Sequence, residues 1–71
     1  MDYSEYIQAD PEIMLGKPVI KGTRLTVEVI LQKLSDGFSE NDLIDMYPIL
    51  SKKAIITAIG FASDFPGNMK K

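Results

Sequence analysis

A chain of 71 residues, 45% hydrophobic and 25% charged, has room for one domain and the composition of a folded one. It holds no cysteine and no histidine, which excludes disulfide staples, thiolate or imidazole metal sites and the commonest general base. Its net charge of −2 argues mildly against nucleic acid as a partner, and no stretch approaches the ~20 apolar residues that span a membrane.

The charge is segregated. Residues 1–16 carry −4, residues 17–25 carry +3 (Lys17, Lys21, Arg24), residues 26–50 carry −4 and residues 51–71 carry +3. Two positive blocks on an acidic body can build one basic face. The acidic start MDYSEYIQAD lacks the basic-then-apolar layout of a secretory signal, so a cytoplasmic protein is expected. A core this small, without staples, often gains stability from a second copy, so a homodimer is expected too.

In chain order, Tyr3, Tyr6 and Ile7 stand among acids ahead of Asp10–Pro11, a pair that favours a turn. The reading is a short strand around Tyr6–Gln8, the turn, and an extended piece near Ile13–Leu15. Together they form an arm that packs its aromatics on the rest or engages a partner. Val19, Ile20 and Leu25 are strand formers with Lys21–Gly22 between them, which suits a hairpin turn. Pro18 places the first of these strands at an edge. Gly16–Lys17 superficially resembles a phosphate loop, but it lacks the upstream glycine, and Pro18 follows where Ser or Thr is needed.

From Leu25 onward one local pattern occurs three times. An apolar residue precedes Ser or Thr, and an apolar residue recurs at the fourth helical position: Leu25–Thr26…Ile30, Phe38–Ser39…Leu43, Leu50–Ser51…Ile55. The hydroxyl caps a first-turn amide, worth ~1 kcal/mol, and the apolar pair staples the entry of the chain. Asp42, at the third helical position after Ser39, comes close to a capping box.

The pattern predicts three helices. The first, about Val27–Asp36, has an apolar face of Val27, Ile30, Leu31 and Leu34 and ends at Gly37. The second, about Glu40 to Met46 or Tyr47, turns Leu43, Ile44 and Tyr47 inward and Glu40, Asp42 and Asp45 outward, and Pro48 ends it. The third, about Lys52 to Ala62 or Ser63, carries a stripe of Ile55, Ala58, Ile59 and Ala62. Pro66–Gly67 then stops any continuation, leaving a short polar tail.

The expected organisation is therefore an arm and hairpin over 1–25, a helical unit over 26–63 and a tail over 64–71, within one domain. The fold class is mainly α: a three-helix bundle with a short N-terminal β-hairpin arm. The second and third helices, joined by the break Tyr47-Pro48-Ile49-Leu50, form a helix-turn-helix.

GKPVIKGTRLTV, followed by a helix, Gly-Phe-Ser-Glu-Asn-Asp-Leu, Tyr-Pro-Ile-Leu-Ser and a final alanine-rich helix, resembles domain-of-unknown-function family 433 over about residues 7–63. The resemblance implies a homeodomain-like three-helix fold with an N-terminal β-arm. It also implies a prokaryotic antitoxin of the VapB type, paired with a PIN-like nuclease toxin and repressing its own operon through the helix-turn-helix. Such antitoxins often carry a long C-terminal segment that folds onto the toxin. Only about eight residues follow the third helix here, so the arm at 1–16 or a helical surface is expected to engage the toxin.

For DNA, the candidates are Ser51, Lys52, Lys53 and Thr57 on the third helix, and Lys21 and Arg24 in the hairpin. A recognition helix reads through its N-terminal residues, and Ser51 with the first-turn amides could hold a phosphate. Arg24, the sole arginine, is the better base reader, or else a clamp from the hairpin to a helix acid. The third helix offers no Arg, Asn or Gln for bidentate readout. Ile56, Gly60 and Phe61 lie off or at the edge of its main stripe, so they are either covered by the arm or form an oligomer or partner surface.

An enzyme is not expected. The acids are scattered, Asp42 and Asp45 are ordinary solvated neighbours, and no cofactor or metal site is implied. The competing class is a small homo-oligomeric protein-interaction module that does not touch DNA.

Overall fold

The computed structural model describes residues 2–65. Its order is a 3-10 turn at Tyr3–Glu5, strand β1 (Ile7–Gln8), a second 3-10 turn at Met14–Gly16, strand β2 (Val19–Ile20), then helices α1 (Val27–Ser35), α2 (Glu40–Met46) and α3 (Lys52–Asp64). The expected class holds: three helices with a short antiparallel two-stranded sheet ahead of them.

All three helices start on the hydroxyls read from the sequence. Thr26 Oγ1 accepts from the Val29 amide at 3.1 Å, Ser39 Oγ from Asp42 at 3.0 Å, and Ser51 Oγ from Ala54 at 3.1 Å. The Asp42 carboxylate reaches back to the Ser39 amide at 2.9 Å and completes the capping box. Gly37, at φ 102°, closes α1 with a Schellman pair: Phe38 N–H donates to Lys33 C=O and Gly37 N–H to Leu34 C=O. At the end of α2, Tyr47 is the cap, Pro48 prevents continuation, and Leu50 N–H donates back to Tyr47 C=O at 2.8 Å.

The core is formed by Val19, Val27, Ile30, Leu43 and Ile55, all fully buried, with Ile7, Ile20, Leu50, Ala54 and Ala58 around them. Each buried aliphatic side chain contributes roughly 1.5–3 kcal/mol of transfer free energy. Ala54 and Ala58, one turn apart on α3, are small enough for α1 to lie close across them, and α1 packs on α3 more extensively than on α2. Leu31, Leu34, Ile44 and Tyr47 close the rim.

Three local expectations are corrected and one is extended. β2 pairs with β1, in the register Ile7 to Ile20 and Gln8 to Val19, and it also bonds across its own turn, where Ile20 N–H donates to Leu25 C=O at 2.9 Å and Val27 N–H to Pro18 C=O at 3.0 Å. The turn at Lys21–Gly22 is present, with Gly22 at φ 81°, but Val19 and Thr26 make only one isolated bridge because Thr26 is already the cap of α1.

The expected extended piece at Ile13–Leu15 is instead a tight turn, with φ of 49°, 59° and 82° at Met14, Leu15 and Gly16. Gly16 and Lys17 donate back to the carbonyls of Ile13 and Met14. Two apolar side chains therefore sit in the left-handed region, and Leu15 is 93% exposed.

Ile59 stands 41% exposed outside the α3 core stripe, while Thr57 is inside it. The buried face is centred on Ala54 and Ala58, and Ile59 lies beyond its edge. Finally, α3 runs on to Asp64, past the expected end. The Pro66–Gly67 stop and the polar tail lie outside the described residues.

Candidate nucleic-acid interface

The candidate surface has two parts. The first is the opening turn of α3. Ser51 caps the third amide of that turn, so its hydroxyl oxygen is already accepting a bond. The other first-turn amides have no partner within the helix. Lys52 and Lys53 flank them and are exposed. A positive helix end with two ammonium groups can hold a phosphate.

Thr57 is not part of this surface. It is 7% exposed, and its hydroxyl donates to the Lys53 carbonyl at 2.7 Å, a back-bond within the helix.

The second part is the loop between β2 and α1. Thr23 organises it. Its Oγ1 donates to Ile20 C=O at 2.7 Å and accepts from the Leu25 amide at 3.0 Å, while its amide donates to Ile20 C=O at 3.0 Å. This built loop displays Arg24, which is exposed and, among the described residues, makes no ion pair. The clamp role open to Arg24 thus finds no helix acid. That role falls to Lys17 instead, paired with Glu28 on α1 at 3.1 Å.

Lys21 is exposed as well. Its amide donates to Tyr6 C=O at 2.8 Å and its Nζ lies 3.4 Å from the Ser4 carbonyl. Ser4 adjoins Tyr3, whose hydroxyl donates to Asp64 and lies 3.4 Å from the Gly60 carbonyl. The loop is therefore tied to the segment that docks on the C-terminal half of α3, whereas Lys52 and Lys53 open its N-terminal turn.

Gly60 and Phe61 are half-buried beneath the arm. Tyr3 meets Phe61 edge-on at 5.4 Å and Phe65 at 5.8 Å, and Phe61 and Phe65 lie 4.9 Å apart. Ile56 is different: it is 50% exposed and has Ile59 one turn on. Sequence reasoning placed Ile56 outside and missed Ile59 and Leu15. An isoleucine in a stripe does not declare which edge of the stripe is covered, and a left-handed Met–Leu pair has no residue-type signature. Among the described residues, no three acids gather as a metal site, and no helix is long and apolar enough to cross a membrane.

The model of the family described as "Protein of unknown function (DUF433)" matches residues 7–62. The chain belongs to the DUF433 family. Among solved structures, the crystal structure of a DUF433 member protein from Anabaena variabilis ATCC 29413 is similar to it, at 24% identity and a TM-score of 0.85. The alignment covers 89% of this chain and 62% of that one, so this DUF433 chain spans less than two thirds of its solved relative. That likeness establishes the fold. No curated protein matches the chain.

Proposed function

We propose that this DUF433 chain is a non-catalytic, cytoplasmic DNA-binding regulator, the antitoxin-like member of a prokaryotic toxin–antitoxin pair. It binds its own operator and pairs with a PIN-like nuclease toxin. The observation that carries the reading is the helix-turn-helix itself: α2, a proline turn, and an α3 whose capped first turn presents Lys52 and Lys53 beside free amide groups. The resemblance of the GKPVIKGTRLTV run supports the antitoxin part. The acidic outer face of α2 sets the polarity, since Asp45 and the capping Asp42 keep that helix away from phosphates.

In this reading the lysines position and Arg24 reads. Lysine meets phosphate as a point charge, while an exposed, unpaired guanidinium can bond two atoms of a guanine edge. Thr57 takes no part. The test is a mobility-shift titration on the chain's own upstream DNA against unrelated DNA, together with co-purification of a neighbouring PIN-like nuclease.

One observation favours a second reading, the homo-oligomeric interaction module. The middle of the α3 outer face is apolar, with Ile56 and Ile59 where a recognition helix usually carries polar side chains. A protein that shows salt-dependent self-association and no DNA binding decides for this module.

A further inference from the structure

We infer that the outer face of α3 is a self-pairing surface whose occupant is a second copy of this chain, laid antiparallel across it. The inference rests on the apolar face that favours the interaction-module reading, and it stands whether or not the protein binds DNA.

At about 100° per residue, Lys52, Ile56, Ile59 and Ser63 fall within an arc of about 60°. All four are exposed. Lys53 and Asp64 flank this stripe on one and the same side, both exposed and about 16 Å apart along the axis at 1.5 Å per residue.

Consider a twofold axis that passes between Ile56 and Ile59, perpendicular to the plane of two antiparallel helices. It sets Ile56 against Ile59 of the second copy, and the reverse. The same operation carries Asp64 of the second copy to the flank of Lys53, with an axial offset of about 3 Å. The result is two symmetric ion pairs around an isoleucine centre. A parallel pair, whose twofold runs along the helices, would put Lys53 and its copy on opposite flanks, leave both without an Asp64 partner, and align the helix dipoles. The charges therefore select the antiparallel arrangement.

Asp64 is oriented in advance, because Tyr3 donates its hydroxyl to Oδ2. The stripe is small beside the ~800 Å² per partner of a standard interface, so the pair is weak and concentration-dependent. It covers the helix that the helix-turn-helix offers to DNA, so pairing and operator binding exclude one another.

Sedimentation equilibrium of the full chain tests this, with circular dichroism confirming the fold of each variant. The wild type should rise from monomer to dimer mass as its concentration increases. Ile56→Glu, at an exposed position, should stay folded and monomeric. Lys53→Glu and Asp64→Lys should each weaken pairing by about tenfold or more, since each sets like charges together. The exchange Lys53→Glu/Asp64→Lys should restore it. Tyr3→Phe removes the hydroxyl without touching charge and should pair within a few-fold of wild type.

A wild type that stays monomeric at hundreds of micromolar overturns the inference. So does a dimer indifferent to Ile56→Glu, or charge reversals that the exchange does not rescue. Loss of DNA binding in any of these variants bears on the proposed function and not on this surface.

Discussion

Tyr3 and Asp64 stand 61 residues apart in sequence, and the Tyr3 hydroxyl donates to the Asp64 carboxylate. This bond and the Tyr3–Phe61–Phe65 cluster fasten the N-terminal arm to the far end of α3. Because the arm also supplies β1, the bond closes the chain into a ring of packed elements. Tyr3→Phe keeps the ring stacking and removes the bond, and should cost about 0.5–1.5 kcal/mol. Tyr3→Ala removes the stacking as well and should cost more. Urea midpoints at constant m check both.

The first residues of the arm give it a dependence on acid. Asp2 accepts from the Ser4 hydroxyl at 2.7 Å and from the Ser4 amide at 3.0 Å, and these bonds hold its carboxyl below the ordinary carboxylate value. A depressed carboxylate stabilises the folded arm fully above its unfolded pKa. The contribution is lost as pH falls through the lower folded value. The Ser4 amide resonance should therefore shift toward its free position only at pH below the ordinary aspartate value. A midpoint above the ordinary aspartate value would contradict the cap.

Core and rim of the helices should separate cleanly under truncation. Leu43→Ala and Ile30→Ala remove fully buried side chains and should cost ~2–5 kcal/mol, a large share of what a domain this small has. Ile59→Ala, at an exposed position, should stay within about 0.5 kcal/mol. Chemical denaturation of the three variants checks the assignment. A strongly destabilised Ile59→Ala would place that side chain in the core after all.

Much of this fold is legible in the sequence, because helix starts are local. A hydroxyl, an apolar residue before it and another at the fourth position specify the cap, and Thr26, Ser39 and Ser51 each form it. Strand pairing is only partly local. Val19 and Ile20 are strand formers, and the bond from Ile20 N–H to Leu25 C=O across the turn is local, but only the closed structure adds β1 as their second partner. The same limit applies to the candidate site. Lys52, Lys53, Lys21 and Arg24 are charged and therefore exposed, as composition predicts. Thr57 is ambiguous by type, and it is buried because the small Ala54 and Ala58 centre the packed face beside it.

Arg24 gives a prediction that separates reading from clamping. It is exposed and, among the described residues, without an ion pair, so Arg24→Ala should leave thermal stability unchanged. On operator DNA the same change should cost ~1–3 kcal/mol, with little effect on random DNA. A matching loss of stability would return Arg24 to a structural role.

The most direct test of the DNA-binding account is the salt dependence of a mobility-shift titration, run at protein concentrations below the self-pairing range. The wild type should bind its upstream DNA with log affinity falling linearly against log salt. Lys52→Ala/Lys53→Ala should weaken binding on all sequences alike and flatten the slope by roughly 0.9 for each phosphate that the variant no longer neutralises. A wild type that shows no salt-dependent binding even at low ionic strength would contradict the account and leave the protein-interaction module in its place.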